Sequence, residues 1–227
     1  MKRSIVTTGD GSKTIQIEDW DEQYHSIHGA IQEAQHVFIK MGLHHFLNSH
    51  KPTVLHILEI GFGTGLNAFV TALEAHTKKI QIHYEGVEAY PVQSEELSLL
   101  NYASLLAQDQ SPVFDALHQV SWEYLHIITS HFSLKKRLQF FNELEDQNSF
   151  ELIYFDAFGA RVQPDLWTES IFKRMYDALK ENGVLVTYAA KGSVRRAMQA
   201  VGFIVERLEG PPGKREMLRA TKPPKVC

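Results

Sequence analysis

Apolar runs of strand length alternate with stretches of helical spacing along this chain, and that alternation predicts an α/β fold on a mainly parallel, twisted sheet. Three segments carry the prediction. Val54–Ile60 is a short apolar run halted by glycines and followed at once by a helical stretch over 66–75. Residues 80–87 repeat the strand pattern, and Phe150–Phe155 reads as a strand buried on both faces. Parallel neighbours of this kind are joined by right-handed crossovers, which place helices against the sheet.

The remaining elements follow in order. Residues 4–18 alternate loosely around Gly9-Asp10-Gly11, which predicts a β-hairpin because Asp-Gly supplies the positive φ of such turns. Over 27–46 the apolar positions Ile31, Ala34, Val37, Phe38 and Met41 recur at helical spacing, and Pro52 closes the region. These give an N-terminal hairpin-and-helix extension at 1–50, a main domain at 51–221 and an unstructured, proline-rich tail at 222–227. Within the main domain 92–106 is predicted helical. Residues 107–135 stay open, since Trp122, Tyr124, Leu125, Ile127 and Ile128 suit either a helix or a strand. A helix over 166–179 has Asn182-Gly183 as its expected C-terminal stop. A strand over 183–190, a helix over 193–200 closed by Gly202, and an antiparallel pair at 203–208 and 216–221 complete the domain.

Length and composition suit one soluble domain: 227 residues, 44% hydrophobic and 22% charged. Cys227 is the only cysteine, so no intrachain disulfide forms, and a reducing cytoplasm fits. The N-terminus lacks the apolar stretch of a secretory signal, and no apolar run is long enough to span a bilayer. Net charge is −4, which argues against a general nucleic-acid coat. Its distribution is uneven, with nine basic residues and three acids from Lys191 onward. The histidines form no H-E-x-x-H or comparable ligand set and read as scattered surface residues, and no G-x-S-x-G elbow follows a strand.

The strand-to-helix junction Glu59-Ile60-Gly61-Phe62-Gly63-Thr64-Gly65 lies where an α/β sheet binds nucleotides. Its spacing, E-x-G-x-G-x-G, differs from the G-x-G-x-x-G of dinucleotide enzymes, and Glu88 ends the next strand, where an acid meets ribose hydroxyls. This combination resembles class I, Rossmann-like methyltransferases, in which the initial acid lies near the amino-acid part of S-adenosylmethionine. Asp156 ends the strand ELIYF before Ala157-Phe158-Gly159, so its carboxylate falls at the same sheet edge. There it can orient an amine beside a methyl donor and help remove its proton.

The segments LEIGFGTGLNAF, GVEAYPV, IYFDAFGARVQPDLWTESIF, GVLVTYAAKGSVRRAMQAVGF and GPPGKREMLRA, in order over roughly 24–221, resemble the tRNA 5-methylaminomethyl-2-thiouridine methyltransferases. These occur as the N-terminal domain of bifunctional MnmC proteins or as stand-alone MnmD-type enzymes. The resemblance implies methylation of the 5-aminomethyl nitrogen of a tRNA wobble uridine by S-adenosylmethionine; the lack of a ligand set leads us to expect no metal. With no second dinucleotide loop, the FAD-dependent oxidase activity of the bifunctional relatives is expected to be absent. It places Glu59, Gly61, Gly63, Gly65, Asn67, Glu88 and Asp156 around the cofactor, with Tyr24 in the same pocket and Asp156 at the junction with the acceptor. The adenine contact stays unassigned between Asn142 and Glu143. Arg195, Arg196, Lys214 and Arg215 are expected on phosphates of the anticodon stem-loop, and Phe158 and Trp167 are candidates to stack on an unstacked base. An aminopropyltransferase of the spermidine synthase type or a small-molecule amine methyltransferase would share the fold, and a non-catalytic RNA-binding module is the rival from another class.

Overall fold

The computed structural model describes residues 2–225; Met1, Val226 and Cys227 lie outside the described residues, and with them the lone cysteine and the end of the predicted tail. The N-terminal hairpin forms from β1 (Arg3–Thr7) and β2 (Lys13–Ile17), and β3 (Glu22–Gln23) adds a short third strand. Of Gly9-Asp10-Gly11 only Gly11 takes a positive φ, 83°. The Asp10 carboxylate closes the loop instead, accepting from Ser12 N at 3.0 Å and Gln32 N at 2.9 Å. The predicted helix begins at α1 (Ala30–Ala34), widens to π geometry over Gln35–His44 and ends as α2 (His45–Ser49). Gly42 brings this helix onto the sheet, since a Cβ there would stand 2.9 Å from Val186 Cγ2.

The main sheet follows with β4 (Val54–Ile60), α3 (Leu66–Lys78), β5 (Gln81–Glu88), α4 (Ser94–Leu97), α5 (Tyr102–Leu106) and α6 (Ser111–Gln119). It continues through β6 (Leu125–Thr129), β7 (Phe132–Leu138), β8 (Phe150–Phe155), α7 (Glu169–Ala178), β9 (Leu179–Thr187), α8 (Gly192–Ala200), β10 (Ile204–Glu209) and β11 (Glu216–Thr221). The strand order is β10-β11-β9-β8-β4-β5-β7-β6. The run from β9 to β7 is parallel, as expected, with antiparallel β11 and β10 beyond β9 and antiparallel β6 beyond β7. The class I, Rossmann-like fold is thus present, with one antiparallel edge strand more than the sequence predicts.

Three local expectations change. The 92–106 stretch is two short helices, α4 and α5, rather than one. The open 107–135 stretch supplies α6 and the β6–β7 hairpin. Asn182-Gly183 does not stop a helix: α7 ends at Ala178, because fully buried Leu179 already pairs with Phe150 in the sheet. Asn182 instead takes φ 62° where the β8–β9 register shifts. The tail is also tied at its root, with Lys222 buried, its backbone N–H on Gly183 O and its ammonium on Leu179 O.

Side chains alternate across β4, and that alternation builds the two cores. Leu55 and Ile57 join Ala68, Phe69, Ala72, Phe38, Tyr84 and Tyr154 on the face covered by α3 and the long N-terminal helix. Leu58 and Ile60 join Phe172, Met175, Val194 and Met198 on the face covered by α7 and α8. Glu59 therefore points into the α3 side by parity alone. Gly86 on β5 packs against the glycine turn, because a Cβ there would lie 2.3 Å from Phe62 Cδ2. Gly86→Ala is expected to lower stability by roughly 1–3 kcal/mol through overpacking, read as a drop in the urea midpoint at unchanged slope.

Candidate functional site

β4, β5 and β8 lie side by side, so their C-terminal ends at Ile60, Glu88 and Phe155 share one sheet edge. The chain leaves β4 toward β5 on one side and returns as β8 on the other, the switch point at which open α/β sheets bind ligands. The turn after β4 is pinned there by Gly61 N and Phe62 N, both donating to Val87 O at 3.0 Å. Gly61 has φ 92°, and a Cβ on it would stand 2.6 Å from Asp156 O, so only glycine fits between the turn and β8. Gly63 and Gly65 also take positive φ, and Gly65 opens α3.

Asn67, in the first turn of α3, joins two acids. Its Nδ2 donates to Glu59 Oε1 at 2.9 Å and to Asp156 Oδ2 at 2.8 Å. Glu59 is fully buried behind Asn67 and is not among the residues that line the cavity. Burial holds its carboxyl well above the usual carboxylate range. Asp156 lies on the cavity floor; burial, then the charge of Glu33, push it up to about 7 against the Asn67 hydrogen bond and the charge of Lys214. Asn67 Oδ1 and Glu59 Oε2 are buried without a hydrogen-bond partner.

The cavity encloses about 550 Å³. One end is lined by the glycine turn, Glu88, Tyr90 and Asn142, while Glu143 turns back to accept from Phe140 N at 3.1 Å. Glu88 is fixed by Gly63 N at 3.1 Å and Tyr90 N at 2.9 Å, one on each carboxylate oxygen. The other end is walled by the N-terminal extension. Trp20 and Tyr24 meet Phe158 edge to face, with centroids 5.5 Å and 4.9 Å away. Arg161 ties the loop after Asp156 to that wall, donating to Trp20 O, Asp21 O and Glu22 Oε2 at 2.9 to 3.0 Å.

The remaining site residues are placed as follows. Arg196 and Arg215 are exposed and Arg195 half-buried, and none of the three forms a salt bridge among the described residues. Lys214 departs from the expectation of a phosphate contact: it lines the cavity, paired with Glu33 and 3.9 Å over the Tyr188 ring. Arg219, bonded to Glu206, and Lys222 also turn inward, so the basic end of the chain presents fewer free cations than its sequence suggests. Trp167 is core, its indole N–H donating to Phe158 O at 2.8 Å, and it offers no stacking face. His25 and His118 are half-buried rather than freely exposed surface residues, and burial pushes both rings down to about 4. Among the described residues no group of three or more metal-type side chains converges, and no helix is long and apolar enough to cross a membrane.

Sequence reasoning missed Glu33, Trp20, His25 and Tyr188 as cavity residues. Glu33 carried a signal: it sits three residues after Ala30 and four before Val37, a charge on the apolar stripe of its helix. A carboxyl raised by folding stabilises the protein while protonated and loses that contribution as pH rises, here between 3.8 and about 7. Asp156→Asn is therefore expected to match the wild type near pH 4 and to exceed it at pH 8 by about 1 kcal/mol or more, measured by thermal melts across pH.

Residues 127–223 match the family model of an S-adenosyl-L-methionine-dependent methyltransferase. The tRNA 5-methylaminomethyl-2-thiouridine biosynthesis bifunctional protein MnmC of Burkholderia thailandensis is 30% identical over 95% of this chain and 34% of its own length. Its counterpart in Leptospira interrogans is 27% identical over 88% of this chain and 32% of its own. The chain thus spans about a third of the length of the curated relatives it matches. Among solved structures, MNMC2 from Aquifex aeolicus superposes with a TM-score of 0.78 at 25% identity, over 99% of this chain and 73% of that one. A probable spermidine synthase from Corynebacterium glutamicum shares the fold, with a TM-score of 0.58 at 15% identity over 99% and 78% of the two chains. In sequence and in fold the chain is similar to the MnmC proteins over nearly its whole length, and residues 127–223 carry the pattern of the S-adenosyl-L-methionine-dependent methyltransferases.

Proposed function

We propose that this chain is an S-adenosyl-L-methionine-dependent N-methyltransferase acting on the 5-aminomethyl group of a tRNA wobble uridine. The observation that carries the reading is Asp156, a carboxyl poised near neutrality where the glycine turn and the N-terminal wall meet. The residues present fit the donor. Gly61 and Gly63 leave room that side chains would fill, and Asn67 Oδ1 is an acceptor without a partner beside the turn. Glu88 has spare lone pairs for ribose hydroxyls, and Asn142 rather than Glu143 lies where a base edge would sit. Glu59 acts through Asn67. The wall from the N-terminal extension makes 1–50 part of the site, so we treat 1–221 as one working unit.

When bound, S-adenosyl-L-methionine supplies a methyl group on a positively charged sulfur. An aminomethyl group is an ammonium at neutral pH and has no lone pair until it loses a proton. Asp156, as a carboxylate, accepts that proton, and its carbonyl oxygen then holds the neutral amine through one of the two N–H bonds it keeps, leaving the lone pair for the methyl group. The Asn67 bond fixes the direction of the carboxylate, and alignment of this kind supplies much of the rate. Trp20, Tyr24 and Phe158 exclude water and offer faces for an extruded base. Arg195, Arg196 and Arg215, free of salt bridges among the described residues, suit flanking phosphates.

Incubating the protein with S-adenosyl-L-methionine and tRNA from cells lacking the final methylation, then resolving nucleosides by mass spectrometry, tests the reading. The expected product is 5-aminomethyl-2-thiouridine heavier by one methyl; methyl transfer to polyamines alone would overturn it. Asp156→Ala is expected to lower turnover at least about 100-fold while calorimetry still detects cofactor binding. Arg195→Ala with Arg196→Ala is expected to weaken tRNA binding and to flatten its logarithmic salt slope by roughly one to two. Unchanged affinity would remove the pair from the interface.

A further inference from the structure

We propose that Glu33 and Lys214 are a positioning pair, an ion pair between a buried carboxylate and a half-buried ammonium that sets how readily Asp156 takes the proton of the acceptor amine; this rests on the amine-methylating reading above. Glu33 is 5% exposed on α1, and Lys214 reaches it from the loop before β11. Both face the cavity that holds Asp156. Glu33 is fixed at its other oxygen by Ser26 N at 2.8 Å. The Lys214 ammonium lies 3.9 Å over the Tyr188 ring, whose hydroxyl donates to Ala157 O at 2.8 Å, next to Asp156 in the chain. The pair is thus held in place from several directions rather than trailing in solvent.

An ion pair of this kind is a weak source of stability, whether exposed or buried. Its position gives it another use. The groups facing Asp156 are Glu59 from β4, Tyr84 from β5, Asn67 from α3, Glu33 from α1, Tyr188 after β9 and Lys214 before β11. Of these, Glu59 has its carboxyl raised well above the usual range by burial, and the two tyrosines are ordinary neutral phenols that burial raises further. Glu33 and Lys214 are the opposed charges: the first opposes ionisation of Asp156 and the second favours it. Removing either one alone unbalances the carboxyl in a known direction.

The test is the pH profile of methyl transfer at saturating cofactor for the wild type, Glu33→Gln, Lys214→Met and the double variant. The amide oxygen introduced by Glu33→Gln is still able to accept from Ser26 N, and thermal melts confirm that each variant is folded. The acid limb is expected to move down by about one pH unit in Glu33→Gln, up by about one in Lys214→Met, and back near its original position in the double variant. Limbs that stay put while turnover falls equally at every pH overturn the proposal. So does a Lys214→Met protein whose only change is a flatter salt slope of tRNA binding, the behaviour of a phosphate contact. Carbon-13 carboxyl titration of Asp156 by NMR reads the same order of midpoints without turnover. Ordered midpoints in a protein that methylates no amine would overturn the function and leave the pair; unordered midpoints with transfer intact would do the reverse.

Discussion

A single side-chain amide joins the two acids around which the pocket is built. Glu59 enters the α3 side of the sheet because β4 alternates, and a carboxyl buried there without a partner would be costly. Asn67 meets that need and carries its second bond to Asp156 on the neighbouring strand end. Since Asn67 lies in the first turn of α3, the same contacts set where the helix begins relative to the sheet, and hence the path of the turn from Gly61 to Gly65. Glu88 is then fixed by a backbone N–H of that turn. The positions of cofactor cradle, acid and helix are one constraint seen from three sides.

Much of this was readable because buried parallel strands announce themselves as continuous apolar runs. Val54–Ile60 and Phe150–Phe155 have the bounds their sequence suggests, and the acids that end or follow strands, Glu88 and Asp156, fall at the predicted edge. The edge strand β6 was unreadable for a physical reason: Leu125 and Ile127 face solvent, so its apolar residues report no buried face. At Asn182-Gly183 a good local stop signal lost to a tertiary one, the pairing of Leu179 with Phe150. Glu59 was recognised as a carboxyl at the turn, but the sequence did not show that Asn67 stands in front of it.

Charge was the least legible property. Lys214 sits in a basic run that looks like a nucleic-acid contact, and nothing nearby in sequence shows that Glu33, 181 positions away, draws it inward. Arg219 likewise pairs across the final hairpin with Glu206. A count of basic residues therefore overstates the field at the surface, and of the residues expected on phosphates Arg195, Arg196 and Arg215 remain outward. The aromatic wall was half legible: Tyr24 and Phe158 were named, but not Trp20, which belongs to the turn after the hairpin.

The wall and floor of the cavity come from distant parts of the chain, with contacts spanning 141 residues between Arg161 and Trp20 and 181 between Lys214 and Glu33. Contacts of such range are made only at the entropic cost of closing the loops between them. A ligand that needs the finished wall binds only the native state, and its binding energy is then added to the stability of the whole domain by mass action. In a cell, the proportion of chains that stay folded would rise and fall with the supply of the small molecule they use.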